Sequence, residues 1–136
     1  MTRLKILLVE DDPDRRARIE DLISSITDTF ELEVIVSYEE VLKEIGLNNH
    51  DAYLVSKEFS DKRGLEIIWE ISGQGCRGPA LVLANDDDPE LESEAVNLGA
   101  MIYLVRDQLS SRFLERMIRH AIDRKRYEDN IRNNQE

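Results

Sequence analysis

Four carboxylates crowd into five residues, Glu10-Asp11-Asp12-Pro13-Asp14, where the apolar run "LKILLV" gives out. Side chains this close repel an unescorted phosphate. They favour a hard divalent ion such as Mg2+, which takes oxygen ligands and keeps several of its waters. Part of the cluster has a structural use, because Asp12 before Pro13 reads as a helix N-cap and Asp14 suits a first helical turn. Glu10 and Asp11 have no such use and stand as candidate metal ligands. Other chemically interesting residues also close apolar runs: Ser56 after "AYLV", Ala84-Asn85 at the end of "ALVLA", and Arg106-Asp107 after "MIYLV". A serine is a neutral alcohol that needs a general base to become a nucleophile. His50 precedes its run and His120 falls in the last helical segment, so neither is placed to help.

The elements that must position these residues follow from the apolar pattern. "LKILLV" (4–9), "LEVIV" (32–36), "AYLV" (52–55), "ALVLA" (80–84) and "MIYLV" (101–105) are short and nearly continuous rather than alternating. Strands buried on both faces of a parallel sheet look like this. Between them lie helical periods with their own start and stop signals: Asp12-Pro13, the capping box Ser37/Glu40, and Asp88-Pro89 closed by Gly99. In "LEIIWEIS", after Gly64, the spacing puts Leu65, Ile68, Trp69 and Ser72 on one face. The expectation is a doubly wound α/β fold with five parallel strands in the order 2-1-3-4-5 and five helices. Ligand chemistry in such a sheet gathers beyond the carboxyl ends of the strands, where the residues above fall.

Composition excludes several classes. A chain of 136 residues is one domain with room for a single real core. No apolar stretch approaches a membrane span, and "MTRLKILLVEDD" enters a strand with no room for a signal peptide. One cysteine, Cys76, excludes an internal disulfide and suits a reducing cytoplasm; in "GQGCRGP" it reads as a passive loop thiol. The net charge of −11 is split unevenly, +2 over residues 112–136 and −13 over the rest, so the body repels nucleic acid. Dinucleotide sites place glycines in the first loop, and "VEDDPD" has none.

"LKILLVEDDPDRRARIEDLI" resembles the opening of response-regulator receiver domains, the phospho-accepting modules of two-component signalling, and "GAMIYLVRD" is similar to the stretch before their last helix. The likeness covers roughly residues 3 to 124 and implies the flavodoxin-like (receiver) version of the α/β fold, with a receiver-like domain over 1–124 and a projecting helix end or linker over 125–136. By the resemblance, the family's metal-binding acid pair falls on Glu10 and Asp11, and its switch aromatic on Tyr103. Its phospho-accepting aspartate, eight residues before a glycine, falls on Ser56. Its switch Ser/Thr falls on Ala84 and its lysine on Arg106. Three of five pocket positions therefore depart from the family, among them the one that carries the phosphoryl group.

The resulting expectation is a degenerate receiver: a non-enzymatic, cytoplasmic module acting through protein–protein contacts in a phosphorelay, without aspartyl phosphorylation. Its partners would be a histidine kinase, an output domain or another regulator, with no nucleic acid and no membrane; no cofactor is expected, beyond at most a weakly held Mg2+ at Glu10 and Asp11. Arg106 is expected to reach across the position of Ser56 and form a bidentate pair with Asp11 or Glu10. A displaced acceptor at Glu58 or Asp61, or a small-molecule-binding flavodoxin-like protein, are the alternatives. The last helix has a compact apolar face ending at Ile122; a helix over 111–132 runs about 33 Å, past the domain it covers. Tyr127 and Ile131, four apart on its far end, form a candidate interaction face and a route to a homodimer.

Overall fold

The computed structural model describes residues 3–26 and 29–134; within the ranges given above, residues 1, 2, 27, 28, 135 and 136 lie outside the described residues. The strands are β1 (Leu4–Val9), β2 (Phe30–Ile35), β3 (Ala52–Ser56), β4 (Ala80–Ala84) and β5 (Ile102–Val105). The helices are α1 (Pro13–Ser24), α2 (Tyr38–Leu47), the short α3 (Phe59–Lys62), α4 (Gly64–Gly73), α5 (Pro89–Leu98) and α6 (Ser111–Asn134). All strand pairs are parallel and the order is β2-β1-β3-β4-β5, as the apolar pattern predicts. Five long helices match the expectation, and α3 is the addition.

Alternation within each strand divides the interior into two layers. Leu7, Val9, Tyr53, Val55 and Val82 face Val41 and Ile45 of α2, Ile67, Ile68 and Ile71 of α4, and Ala95 of α5. Ile6, Leu8, Leu54, Leu81 and Leu83 face Ile19 and Ile23 of α1 and Leu114, Ile118, Ala121 and Ile122 of α6. Capping residues start the helices as their types require: Asp12 accepts from Arg15 N, Ser37 from Glu40 N, and Asp88 from Glu90 N and Leu91 N. Gly99, at φ 119°, ends α5 in a backbone conformation that L side chains rarely adopt.

Helix α4 corrects one expectation. Its buried side is Gly64, Ile67, Ile68 and Ile71, while Trp69 is 59% exposed and Ser72 is exposed. Apolar residues at five positions among 65–71 offer two overlapping faces. The narrower isoleucine stripe fits the closely packed sheet, and the indole is left outside.

Register sets up the carboxyl edge of the sheet. Val9 pairs with Val55, Ser56 with Leu83, and Ala84 with Val105, so Glu10, Ser56, Asn85 and Arg106 leave the sheet at one level. Just beyond, Gly64 packs on the strand end: a Cβ there would lie 2.1 Å from Ser56 O and 2.8 Å from Lys57 Cα. The chain reaches that contact through three consecutive left-handed residues, Ser60, Asp61 and Lys62, at φ 51°, 58° and 68°.

Candidate functional site

Arg106 occupies the middle of this edge. It sits in a 3-10 turn directly after β5 and is only 5% exposed. Nη2 donates to Ser56 Oγ at 2.6 Å and to Glu10 Oε1 at 3.4 Å; Nη1 donates to Glu58 Oε1 at 2.5 Å and to Asn85 Oδ1 at 2.6 Å. Nε is buried and has no hydrogen-bond partner among the described residues. The guanidinium thus spans the ends of β1, β3 and β4 with single contacts, and not the bidentate pair expected from the sequence.

Glu10 is fully buried, and both its oxygens are engaged. Oε1 also accepts from Arg15 Nε at 3.0 Å, and Oε2 accepts from Asp12 N at 3.4 Å. A carboxylate taken wholly out of water needs such pairing, since an isolated buried charge is far costlier than the ion pair. Arg15 registers the same pairing. Partial burial acts against its charge, and the Glu10 hydrogen bond and charge outweigh that, raising its pKa.

Asp11 lies apart from the arginines. It is exposed, and its Oδ2 accepts from Ser60 N at 3.0 Å, holding the left-handed loop against the first loop. Ser56, fully buried at the end of β3, sits within hydrogen-bond distance of Arg106 and Glu58, with no histidine near it. Ala84 is fully buried and offers only a methyl group. Tyr103 on β5 is half-buried, and its hydroxyl donates to Asp86 O at 2.8 Å. Burial raises its pKa, with the Asp88 carboxylate adding to the shift. Asp61, exposed at the turn, is not among the partners of the guanidinium, whereas Glu58 is. Tyr127 and Ile131, on the distant end of α6, are 66% and 39% exposed.

Two members of the site carry no sequence motif of their own. Arg15 lies five residues past Glu10, one turn into α1, in an arginine-rich stretch where Arg15, Arg16 and Arg18 look alike. Asn85 is simply the residue after Ala84. Their roles depend on how α1 and the β4 loop tilt over the sheet edge, which spacing does not encode.

Residues 6–118 match the response regulator receiver domain. The chain belongs to this family. A curated relative, the transcriptional regulatory protein CiaR of Streptococcus pneumoniae, is 26% identical over 103 residues, which cover 76% of this chain and 45% of CiaR. The receiver therefore spans under half of that relative. A CheY-like receiver from Methanospirillum hungatei superimposes with a TM-score of 0.79 at 19% identity, covering 93% of this chain and 99% of its own. The receiver domain of sensor histidine kinase PA1611 of Pseudomonas aeruginosa, with magnesium coordinated in its active-site cleft, gives 0.76 at 21% identity over 90% and 99%. Glu10, Ser56 and Arg106, three of the positions singled out by the resemblance, meet at this edge of the sheet. No helix among the described residues is long and apolar enough to cross a membrane.

Proposed function

We infer that this receiver has exchanged its phosphoryl switch for a fixed internal cation, and that it works by protein–protein contacts in or beside a two-component pathway. The observation that carries the reading is the guanidinium of Arg106, 5% exposed and bonded to Ser56, Glu58, Asn85 and Glu10. Phosphoryl transfer needs an aligned nucleophile and electrostatic stabilisation of the transferring oxygens. Ser56 has no base, Glu58 is tied to Arg106, and Ala84 has no hydroxyl to follow a phosphoryl group.

The residues present do not fit a Mg2+ ion well. One of the acid pair, Glu10, is held by two guanidiniums, and Ser56 beside it offers a neutral hydroxyl that already accepts from Arg106. An octahedral dication demands oxygens free to approach at about 2.1 Å, and a neighbouring guanidinium opposes its charge. The reading therefore assigns the module no enzymatic activity and a cytoplasmic role. Its partner would be a histidine kinase, an output domain or another regulator, and a second copy of the chain is a further candidate through Tyr127 and Ile131. Nucleic acid and membrane are not among the proposed partners, in keeping with the net charge of −11.

The test is incubation with acetyl phosphate and Mg2+ followed by intact-mass measurement. The expected result is an unchanged mass. A gain of one phosphoryl group mapped to Glu58, Asp61 or another acid beside Ser56 overturns the reading in favour of a displaced acceptor.

A further inference from the structure

At the other end of the sheet a second polar cluster has no part in the pocket just described. His50 precedes β3, roughly 20 Å from Ser56 at the rise of an extended chain. Its side chain is buried, with the residue 3% exposed, yet Nε2 meets Glu33 Oε1 of β2 at 2.7 Å. Glu44 of α2 completes the group: one ligand atom from each of Glu33, Glu44 and His50 lies within 4.8 Å of the other two. These residues line an open cavity of about 470 Å³ together with Lys5, Glu31 and Asn49. Three carboxylates against one ammonium leave its wall net negative.

The imidazole is held in place before any ligand arrives. Arg77 Nε donates to His50 O at 3.4 Å, Arg77 Nη2 to Asn49 O at 3.1 Å, and Arg77 N to Asn48 Oδ1 at 2.9 Å. The Tyr53 ring backs the imidazole at 5.8 Å between centroids. Nδ1 is buried and has no hydrogen-bond partner among the described residues, so Glu33 is the ring's polar contact. A rigid, buried imidazole with Nε2 on the Glu33 carboxylate and a second carboxylate, Glu44, within 4.8 Å at a cavity mouth is an arrangement that suits a metal ligand.

We propose that Glu33, Glu44 and His50 form a site for a borderline divalent cation of the Zn2+ class. One imidazole nitrogen with two carboxylates suits such an ion better than Mg2+, which prefers an all-oxygen octahedron. Three protein ligands leave a fourth tetrahedral position for water. Glu33 can only accept a hydrogen bond when ionised, so Nε2 carries the proton in the metal-free form. Coordination uses the Nε2 lone pair, and the ring proton moves to Nδ1, with no change in oxidation state.

The test is titration of the full chain with Zn2+ in the presence of excess Mg2+, followed by calorimetry and by 15N NMR of the imidazole. Expected are one bound ion, a tautomer change at His50, and binding weakened at least about tenfold by Glu33→Gln and by Glu44→Gln. Glu44 is outside the buried core, so the melting curve of metal-free Glu44→Gln should match the parent. Glu33→Gln keeps an oxygen to accept from His50 and should stay folded by the same measurement. The proposal fails if no stoichiometric binding occurs, if neither glutamine variant weakens it, or if the His50 tautomer stays unchanged. It also fails if Asp11→Asn abolishes binding, which would place the ion at the opposite edge.

Discussion

Replacing Arg106 by alanine would leave the fully buried Glu10 with Arg15 as its remaining ion-pair partner. A buried charge left with no partner costs about 3–5 kcal/mol, and Glu10 keeps Arg15, so only part of that cost applies. Denaturant unfolding of Arg106→Ala should show a loss of about 1–3 kcal/mol, and Glu10→Gln in the same background should recover part of it. A loss below about 1 kcal/mol would mean that the guanidinium is not holding the pocket. Metal titration of the same variant supplies a second measure, with Mg2+ affinity expected to rise above that of the parent. Asp12 gives a prediction of a different kind. The backbone N–H of Arg15 lowers its pKa, so the ionised cap contributes stability above the ordinary aspartate range. That contribution is lost as the pH falls through the lower folded value. Asp12→Asn keeps a capping side chain and removes the titration, so its stability curve should flatten on the acid side relative to the parent. Glu10, Ser56 and Arg106 were legible in the sequence because each sits at the end of an apolar run. Asn85 was legible as the end of a run but not as a partner of Arg106. Arg15 was not legible at all, because the placement of α1 over the sheet edge brings it in.

At the scale of elements, the start signals were the most readable part of the chain. Ser37 accepts from Glu40 N as the capping box requires, and Ser37→Ala should cost about 1 kcal/mol in thermal or chemical unfolding. The β3–α4 connection was the least readable. Nothing in "KEFSDKRG" announces three left-handed residues in a row, because neither serine, aspartate nor lysine favours that region as glycine does. The glycine of this stretch is used instead for close approach: its missing side chain lets α4 begin against Ser56 O. Gly64→Ala should therefore destabilise by about 1–3 kcal/mol, through backbone displacement at the strand end. Ser56 amide chemical shifts should move with it. If they do not, the start of α4 is uncoupled from the pocket. Trp69 shows the limit of periodicity, since a helix with apolar residues on two overlapping faces does not declare which one the sheet will take.

For the whole molecule, strand order and the two-layer core followed from five buried runs and right-handed crossovers, and little else could have accommodated them. How α6 is used beyond Ile122 does not follow in the same way. Arg126 Nη2 lies 3.8 Å from Asp51 Oδ1, an exposed contact of small worth, while Tyr127 and Ile131 face outward. Truncation after Arg124 should leave a folded monomer, and full-length protein should sediment as a larger, concentration-dependent species. Full-length protein that stays monomeric at high concentration would remove this face as a route to self-association. The cation at the sheet edge has a consequence on another timescale. A phosphoryl group is written and erased many times during a protein's life, but Arg106 is installed by the ribosome and leaves only with the chain. On the proposed reading, each copy carries its message from synthesis to degradation, and the quantity a cell can adjust is the number of copies. Dose-response experiments should then track expression level and ignore kinase activity.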